Sequence, residues 1–160
     1  MTVFRPLRRT KNALPDEDAE KLLMNEKRGV LAVNGDGGYP FAIPVDYMYD
    51  PTAKKIYFHG ARSGHKVDSL RKDDKVCFTV YGNECRKEGE WAPFLQSVVI
   101  FGRCALIEDK EMTLAKIREL ARRYYPSEEE IEAEIKAGFS AVQLYEITIE
   151  HLCGKQIQEK

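Results

Sequence analysis

The chain has almost no net charge: 25 lysines and arginines stand against 26 acids over 160 residues, a formal −1. That balance provides no broad basic field for nucleic acid. The one basic run, Arg5, Arg8, Arg9 and Lys11, lacks interleaved aromatics and reads as a solvated or partner-contacting arm over residues 1–14. No apolar run is long enough to span a bilayer. The opening MTVFRPLRRTKNALP has no apolar core of the kind a secretory signal needs. A cytoplasmic protein without a membrane partner is expected. Cys77, Cys85, Cys104 and Cys153 are scattered and form no Cys-x-x-Cys pair, as thiols in a reducing compartment would be. Cys85, in a polar stretch, is the candidate for an exposed reactive thiol. The three histidines and four cysteines show no metal-ligand spacing. A Gly-x-Ser-x-Gly elbow, a Walker loop and a dinucleotide fingerprint are all missing. So are internal repeats and low-complexity tracts.

What is present suits one globular domain over residues 1–160, with 43% hydrophobic and 32% charged residues. Such a chain can bury roughly two-thirds of its unfolded surface. Pro15 and Asp16 open an amphipathic helix carrying Ala19, Leu22 and Leu23. Gly29 leads into a strand, VLAVN, and Asn34-Gly35-Asp36-Gly37-Gly38 is a hairpin turn. A second strand over 39–49, a third at IYFH and a fourth over 76–81 follow. Residues 83–94, polar with glycine and proline, read as a loop. The run 95–107 is apolar on both faces, which predicts burial on both, one of them at a subunit interface. A helix ending before Pro126 and another behind the capping box Ser127-x-x-Glu130 make a helical segment, 110–138, packed on the sheet. A final strand spans 142–149. Six strands and four helices, hairpins first, predict a mainly β, α+β domain: an antiparallel barrel with peripheral helices.

The most informative segment is KKIYFHGARSGHKVDSLRKDDKVCFTVYG, residues 54–82. It reads as strand, turn, short helix, strand. Gly60 and Gly64 let the backbone turn and approach a ligand closely. Ser63 is the predicted N-cap of a helix with Val67 and Leu70 on one face. A helix N-terminus presents unpaired N–H groups and partial positive charge to an anion, and Lys66 adds a full charge in the first turn. A phosphate pocket is the sharpest reading; a plain strand–helix junction is the simpler one.

The order of these pieces resembles a family. G-V-L-A-V-N, Y-P-F-A-I-P-V-D-Y, I-Y-F-H-G-A-R-S-G-H-K, K-V-C-F-T-V and S-V-V-I-F-G-R, with the end over 148–155, are similar to the flavin-binding split-barrel proteins related to pyridoxamine 5′-phosphate oxidase. Within them the chain looks most like the nitroimidazole-resistance subgroup, from about residue 8 to residue 155. The resemblance implies a split β-barrel and a homodimer with FMN at the subunit interface. It implies that Ile43, Pro44, Val45, Asp46 and Tyr47 run along the flavin ring and offer it backbone groups. His59, Gly60 and Ala61 would line the ribityl chain, and Ser63, Gly64, His65 and Lys66 would hold the phosphate. Trp91, Phe94 and Ser97 would reach the flavin from the other subunit. Two departures stand out. The oxidase's phosphate-holding arginine on the second strand is replaced near Ile43, leaving Arg62, His65 or Arg71 to compensate. The oxidase's basic C-terminal substrate motif is absent at His151-Leu152-Cys153-Gly154, which argues against vitamin-phosphate oxidation.

The function so implied is a two-electron reductase of a small planar substrate, nitroaromatics being one class. His59 is the candidate catalytic residue, because an imidazole exchanges protons near neutral pH; its simpler role is packing against the cofactor. Tyr47 is a candidate to orient substrate, and Trp91 to stack on the ring. The alternatives are a non-catalytic barrel carrying flavin, deazaflavin or haem, and a cofactor-free dimeric interaction protein.

Overall fold

A computed structural model describes residues 4–158. The strands are β1 (Arg28–Asn34), β2 (Pro40–Asp46), β3 (Met48–Asp50), β4 (Lys55–Ala61), β5 (Lys75–Arg86), β6 (Pro93–Ile107) and β7 (Val142–Gln158). The helices are α1 (Asp16–Asn25), α2 (His65–Lys72), α3 (Lys110–Ala121) and α4 (Glu128–Gly138). All seven strands join one sheet in the order β2-β1-β5-β6-β7-β4-β3, and every pairing is antiparallel. The sheet curls until β2 approaches β4, but the two never pair. This is the α+β split barrel, open along one seam.

Side chains pointing inward from the curled sheet make the main core. Leu31, Phe58, Phe78, Val98, Ile100 and Tyr145 are completely or almost completely buried there. The helix α1 places Ala19, Leu22 and Leu23 against it, all without solvent exposure. Each such side chain contributes about 1.5–3 kcal/mol relative to an exposed one. A smaller cluster lies on the other face of β4 and β7, where Tyr57 and Leu144 meet Ile117 and Leu120 of α3. Strand β4 is thus buried on both faces by alternation: Ile56 and Phe58 face the main core, Tyr57 the satellite.

Several boundaries differ from the sequence expectation. There are seven strands rather than six, because the chain breaks at Tyr47 and separates β2 from β3. The Tyr124 hydroxyl sits at the break: it accepts from the Tyr47 N–H at 2.9 Å, and its one proton is shared between the carbonyls of Lys27 and of Tyr47, the latter at 2.7 Å. The loop expected over 83–94 shrinks to the six residues between β5 and β6. A bulge between Gly82 and Cys85 lets the polar chain keep pairing, and Asn83, at φ 52°, bonds Gln96 at 2.7 Å. The last strand runs to Gln158 because β6 offers it a full-length partner. In the capping box, Ser127 accepts from the Glu130 N–H at 3.3 Å, but the Glu130 carboxylate turns to the Ser127 hydroxyl instead of the backbone.

Strand β6 is not buried on both faces within the single chain. Val98, Ile100 and Cys104 point inward, whereas Phe101 on the opposite face is 41% exposed. At its end this face is covered by α3, where Ile107 packs with Ile117 and Leu120; around Phe101, Phe4 stacks on Phe101 and His151, at 5.7 and 4.8 Å between centroids. Among the described residues, no helix is long and apolar enough to cross a membrane.

Candidate functional site

The seam between β2 and β4 is the candidate site. A cleft of about 430 Å³ runs along it, lined by Ile43, Pro44, Val45 and Asp46 of β2, His59 of β4, Lys66 of α2 and Arg28 of β1. Edge pairing fixes this wall: β1 and β2 are in register from Arg28↔Asp46 to Asn34↔Pro40. Alternation turns Ile43 and Val45 partly toward the core and leaves Pro44 exposed.

Lys66 is the electrostatic centre. Its ammonium lies half-buried over the ring of Tyr145, 4.6 Å from the centroid, and 5.6 Å from that of Phe58. Those two rings stack at 4.7 Å, and the Tyr145 hydroxyl donates to the Ala61 carbonyl at 2.7 Å. The platform beneath the lysine is therefore rigid. Gly60 makes the approach possible, since a Cβ there would sit 2.7 Å from the Lys66 Nζ. Burial lowers the Lys66 pKa below its ordinary value. Behind it, burial pushes the Cys104 thiol up to about 12, so this neighbour stays neutral and provides no counter-charge. No ion pair with a carboxylate involves Lys66 among the described residues. A desolvated cation over aromatic faces without an anion is costly unless a ligand supplies one.

The turn before α2 complements it. Gly64, not Ser63, is the N-cap, at φ 121° and ψ −179°, a conformation side chains rarely adopt. No side chain caps this helix, so its first-turn N–H groups lack a side-chain acceptor, and the space where a Cβ of Gly64 would stand is open. Ser63 and Ala61 are exposed beside it. Lys66, Gly64 and the α2 amides fit a phosphate group. Of the three neighbours expected to help, Arg62, His65 and Arg71, the first two do not turn inward. His65 stacks on Phe41 at 4.1 Å with its Nε2 3.7 Å from Asp36, and Arg62 leans to Glu108 at 3.9 Å.

His59 stands in the cleft, open to solvent on one side. Desolvation lowers its pKa, the Asp46 carboxylate opposes this, and Lys66 adds to the lowering. The imidazole is thus neutral at pH 7, able to donate one hydrogen bond and accept another. Asp46 is held by Arg28, whose Nε lies 2.9 Å from its Oδ1.

Other sequence candidates lie elsewhere. Tyr47 points into the core without exposure, and its hydroxyl donates to the Leu23 carbonyl at 2.6 Å. Its N–H faces the Tyr124 hydroxyl and the Lys27 carbonyl, and its side chain does not line the cleft. Phe94 is 7% exposed beneath Lys87, and Trp91, 69% exposed, sits in the β5–β6 loop. Neither these two nor Ser97 lines the cleft of the same chain. Cys85 is exposed. Sequence reasoning missed Arg28 and Tyr145. Arg28 was legible through the hairpin register, which sets it opposite Asp46; the Tyr145 platform comes from β4–β7 pairing, for which no local signal exists.

No curated protein sequence matches the chain significantly. Solved structures share its fold. A candidate 5-nitroimidazole antibiotic resistance protein from Bacteroides thetaiotaomicron superposes with a TM-score of 0.75 at 16% identity, covering 91% of this chain and 87% of that one. A conserved hypothetical protein from Mycobacterium tuberculosis gives 0.78 at 16% identity, over 94% and 90%. An FAD and haem binding protein from Mycobacterium smegmatis gives 0.71 at 18% identity, over 91% and 72%. At these identities the likeness concerns the fold. The sequence itself matches the pyridoxamine 5′-phosphate oxidase family across residues 15–156, and the chain belongs to that family.

Proposed function

We propose that this protein is an FMN-dependent oxidoreductase that reduces a small planar substrate, with nitroaromatics as one candidate class. The observation that carries the proposal is Lys66: a half-buried ammonium without a carboxylate partner, beside uncapped helix amides, at one end of a cleft. The phosphate of FMN would be held by Lys66, Gly64 and the first turn of α2, and the ring would lie along Ile43, Pro44, Val45 and Asp46. Bound flavin supplies two-electron redox chemistry. The chain's own residues position the cofactor and hold a proton: neutral His59 stands between the phosphate end and Asp46, where it can donate a hydrogen bond to a reacting molecule.

The assembly is a homodimer. The uncovered sheet face around Phe101, continuous with Val99 and with exposed Tyr81 on β5, suits a second copy. Trp91, exposed on its loop, is then available to a flavin in the other subunit, whereas buried Phe94 is not. The four cysteines are free thiols, which suits the cytoplasm.

The test is an absorption spectrum of purified protein after FMN addition and removal of excess, followed by a nicotinamide donor and a nitroaromatic acceptor. Retained flavin that is bleached by the donor and reoxidised by the acceptor supports the proposal. Retained flavin without turnover makes the protein a carrier. A Soret band on haem addition, with no flavin retained, would overturn the FMN assignment.

A further inference from the structure

A second cavity adjoins the cleft. It lies between the α3–α4 pair and the sheet and measures about 310 Å³, within the range of small-molecule sites. Ile117, Leu120 and Ala121 of α3, Ile131 and Ile135 of α4, and Val142 of β7 form its apolar walls. Tyr124 and Phe139 add aromatic surface. The cavity exists because α3 reaches the sheet only through the satellite cluster around Tyr57 and Leu144, while α4 stands further out with Ile131 as its one buried residue.

The cavity and the cleft share a wall. His59 and Asp46 line both. No lysine or arginine lines the cavity, and its only other charged residue, Glu134, is exposed on α4. With carboxylates as its only charges, the chamber disfavours an anion. Where the chamber meets the cleft, its wall is polar: the His59 imidazole and the Asp46 carboxylate, one oxygen of which is already held by Arg28, while Glu134, Tyr124 and Tyr125 lie elsewhere on the lining. A carboxylate only accepts hydrogen bonds, so a ligand reaching this wall should bring a donor.

We propose that this chamber takes the substrate: a neutral, ring-sized heterocycle whose apolar body lies between α3 and α4 and whose N–H end meets Asp46 and His59. Its identity as substrate, rather than as some other ligand, rests on the flavin assignment of the adjoining cleft. Two separate sources of specificity follow. The phosphate turn selects the cofactor by charge, and the chamber selects the second molecule by shape and by refusing negative charge.

The experiment is a fluorine NMR titration with 5-fluoroindole, with 4-fluorobenzenesulfonate as the anionic comparison and methyl spectra of the protein recorded in parallel. In the wild-type chain fluoroindole should bind saturably and shift the methyl signals of Ile117, Ile131 and Ile135; the sulfonate should bind at least tenfold more weakly. Ala121→Phe and Ile135→Phe, which fill the chamber from different helices, should each weaken fluoroindole at least tenfold while FMN affinity stays within twofold. Equal binding of fluoroindole to folded filled variants, methyl shifts confined to other parts of the protein, or no saturable binding to wild type would overturn the proposal. The wild-type methyl shifts decide the matter even if both variants misfold. Fluoroindole binding in the chamber with no FMN binding at all would sink the flavin assignment and leave the chamber as a ligand site.

Discussion

Replacing Lys66 by methionine separates the two things this residue does. Methionine keeps the length and much of the volume of the lysine stem, and its sulfur can rest on the Tyr145 and Phe58 rings where the ammonium now lies 4.6 and 5.6 Å from the centroids. The lost cation–π attraction, about 0.5–2 kcal/mol, is largely offset by a sulfur–aromatic contact of about 0.3–1.5 kcal/mol. The substitution also removes a charge whose desolvation is the leading cause of its lowered pKa. Stability of the FMN-free protein should therefore stay level or rise. Binding should move the other way. A hydrogen bond to a charged group contributes about 1.5–3 kcal/mol, so the loss predicts roughly ten- to hundredfold weaker FMN binding. Quenching of FMN fluorescence on titration gives the affinity, and urea unfolding of the FMN-free protein gives the stability. Wild-type affinity in Lys66→Met would remove the lysine from the phosphate site. A fall in both quantities would make Lys66 a structural residue and refute the idea that it waits for an anion.

The same lysine predicts a pH dependence. Its pKa is below the ordinary value in the free protein and a bound phosphate must raise it, so FMN affinity should fall as pH climbs from 7 toward 10; Lys66→Arg, charged throughout, should flatten that profile in the same titration. Gly60→Ala places a Cβ where the Lys66 Nζ lies 2.7 Å away, so the flexible ammonium must move; FMN should bind several-fold more weakly while thermal unfolding stays near wild type. His59→Ala should lower turnover more than it lowers FMN occupancy, measured by steady-state kinetics and flavin content; equal losses would make His59 a packing residue. Phe101→Glu puts a charge on the uncovered sheet face and should shift the protein from dimer to monomer in analytical ultracentrifugation, with its circular dichroism unchanged.

What was legible in the sequence is what depends on near neighbours in the chain. The helix of residues 16–25 follows from the spacing of Ala19, Leu22 and Leu23, the hairpin from Asn34 to Gly38, and the strand–turn–helix around Gly64 from its glycine and the apolar Val67 and Leu70. What was not legible depends on partners far away. The hydroxyl at the Tyr47 break comes from 77 residues away, and the lysine platform from a ring of β7. The cap was misassigned to Ser63 because serine is the usual capping residue; here a positive φ at Gly64 takes precedence and leaves the amides free of a side chain. Burial of β6 on both faces was inferred from its residues alone; among the described residues, the second face is covered at Ile107 by α3 and only partly at Phe101, by Phe4.

The open seam itself has a cause in composition. A curled antiparallel sheet with β2 lying near β4 would gain hydrogen bonds by closing, yet these two strands stay unpaired. Pro40 and Pro44 lie in β2, and proline has no N–H to give to a ladder, which confines such a strand to the edge of a sheet. On the opposite side, the turn that follows Ala61 leads the backbone into α2 just where further pairing would be needed. Pro44 therefore does more than line the cleft. It keeps the barrel split, and the split brings His59, Asp46 and Lys66 to one surface that a closed barrel would have sealed.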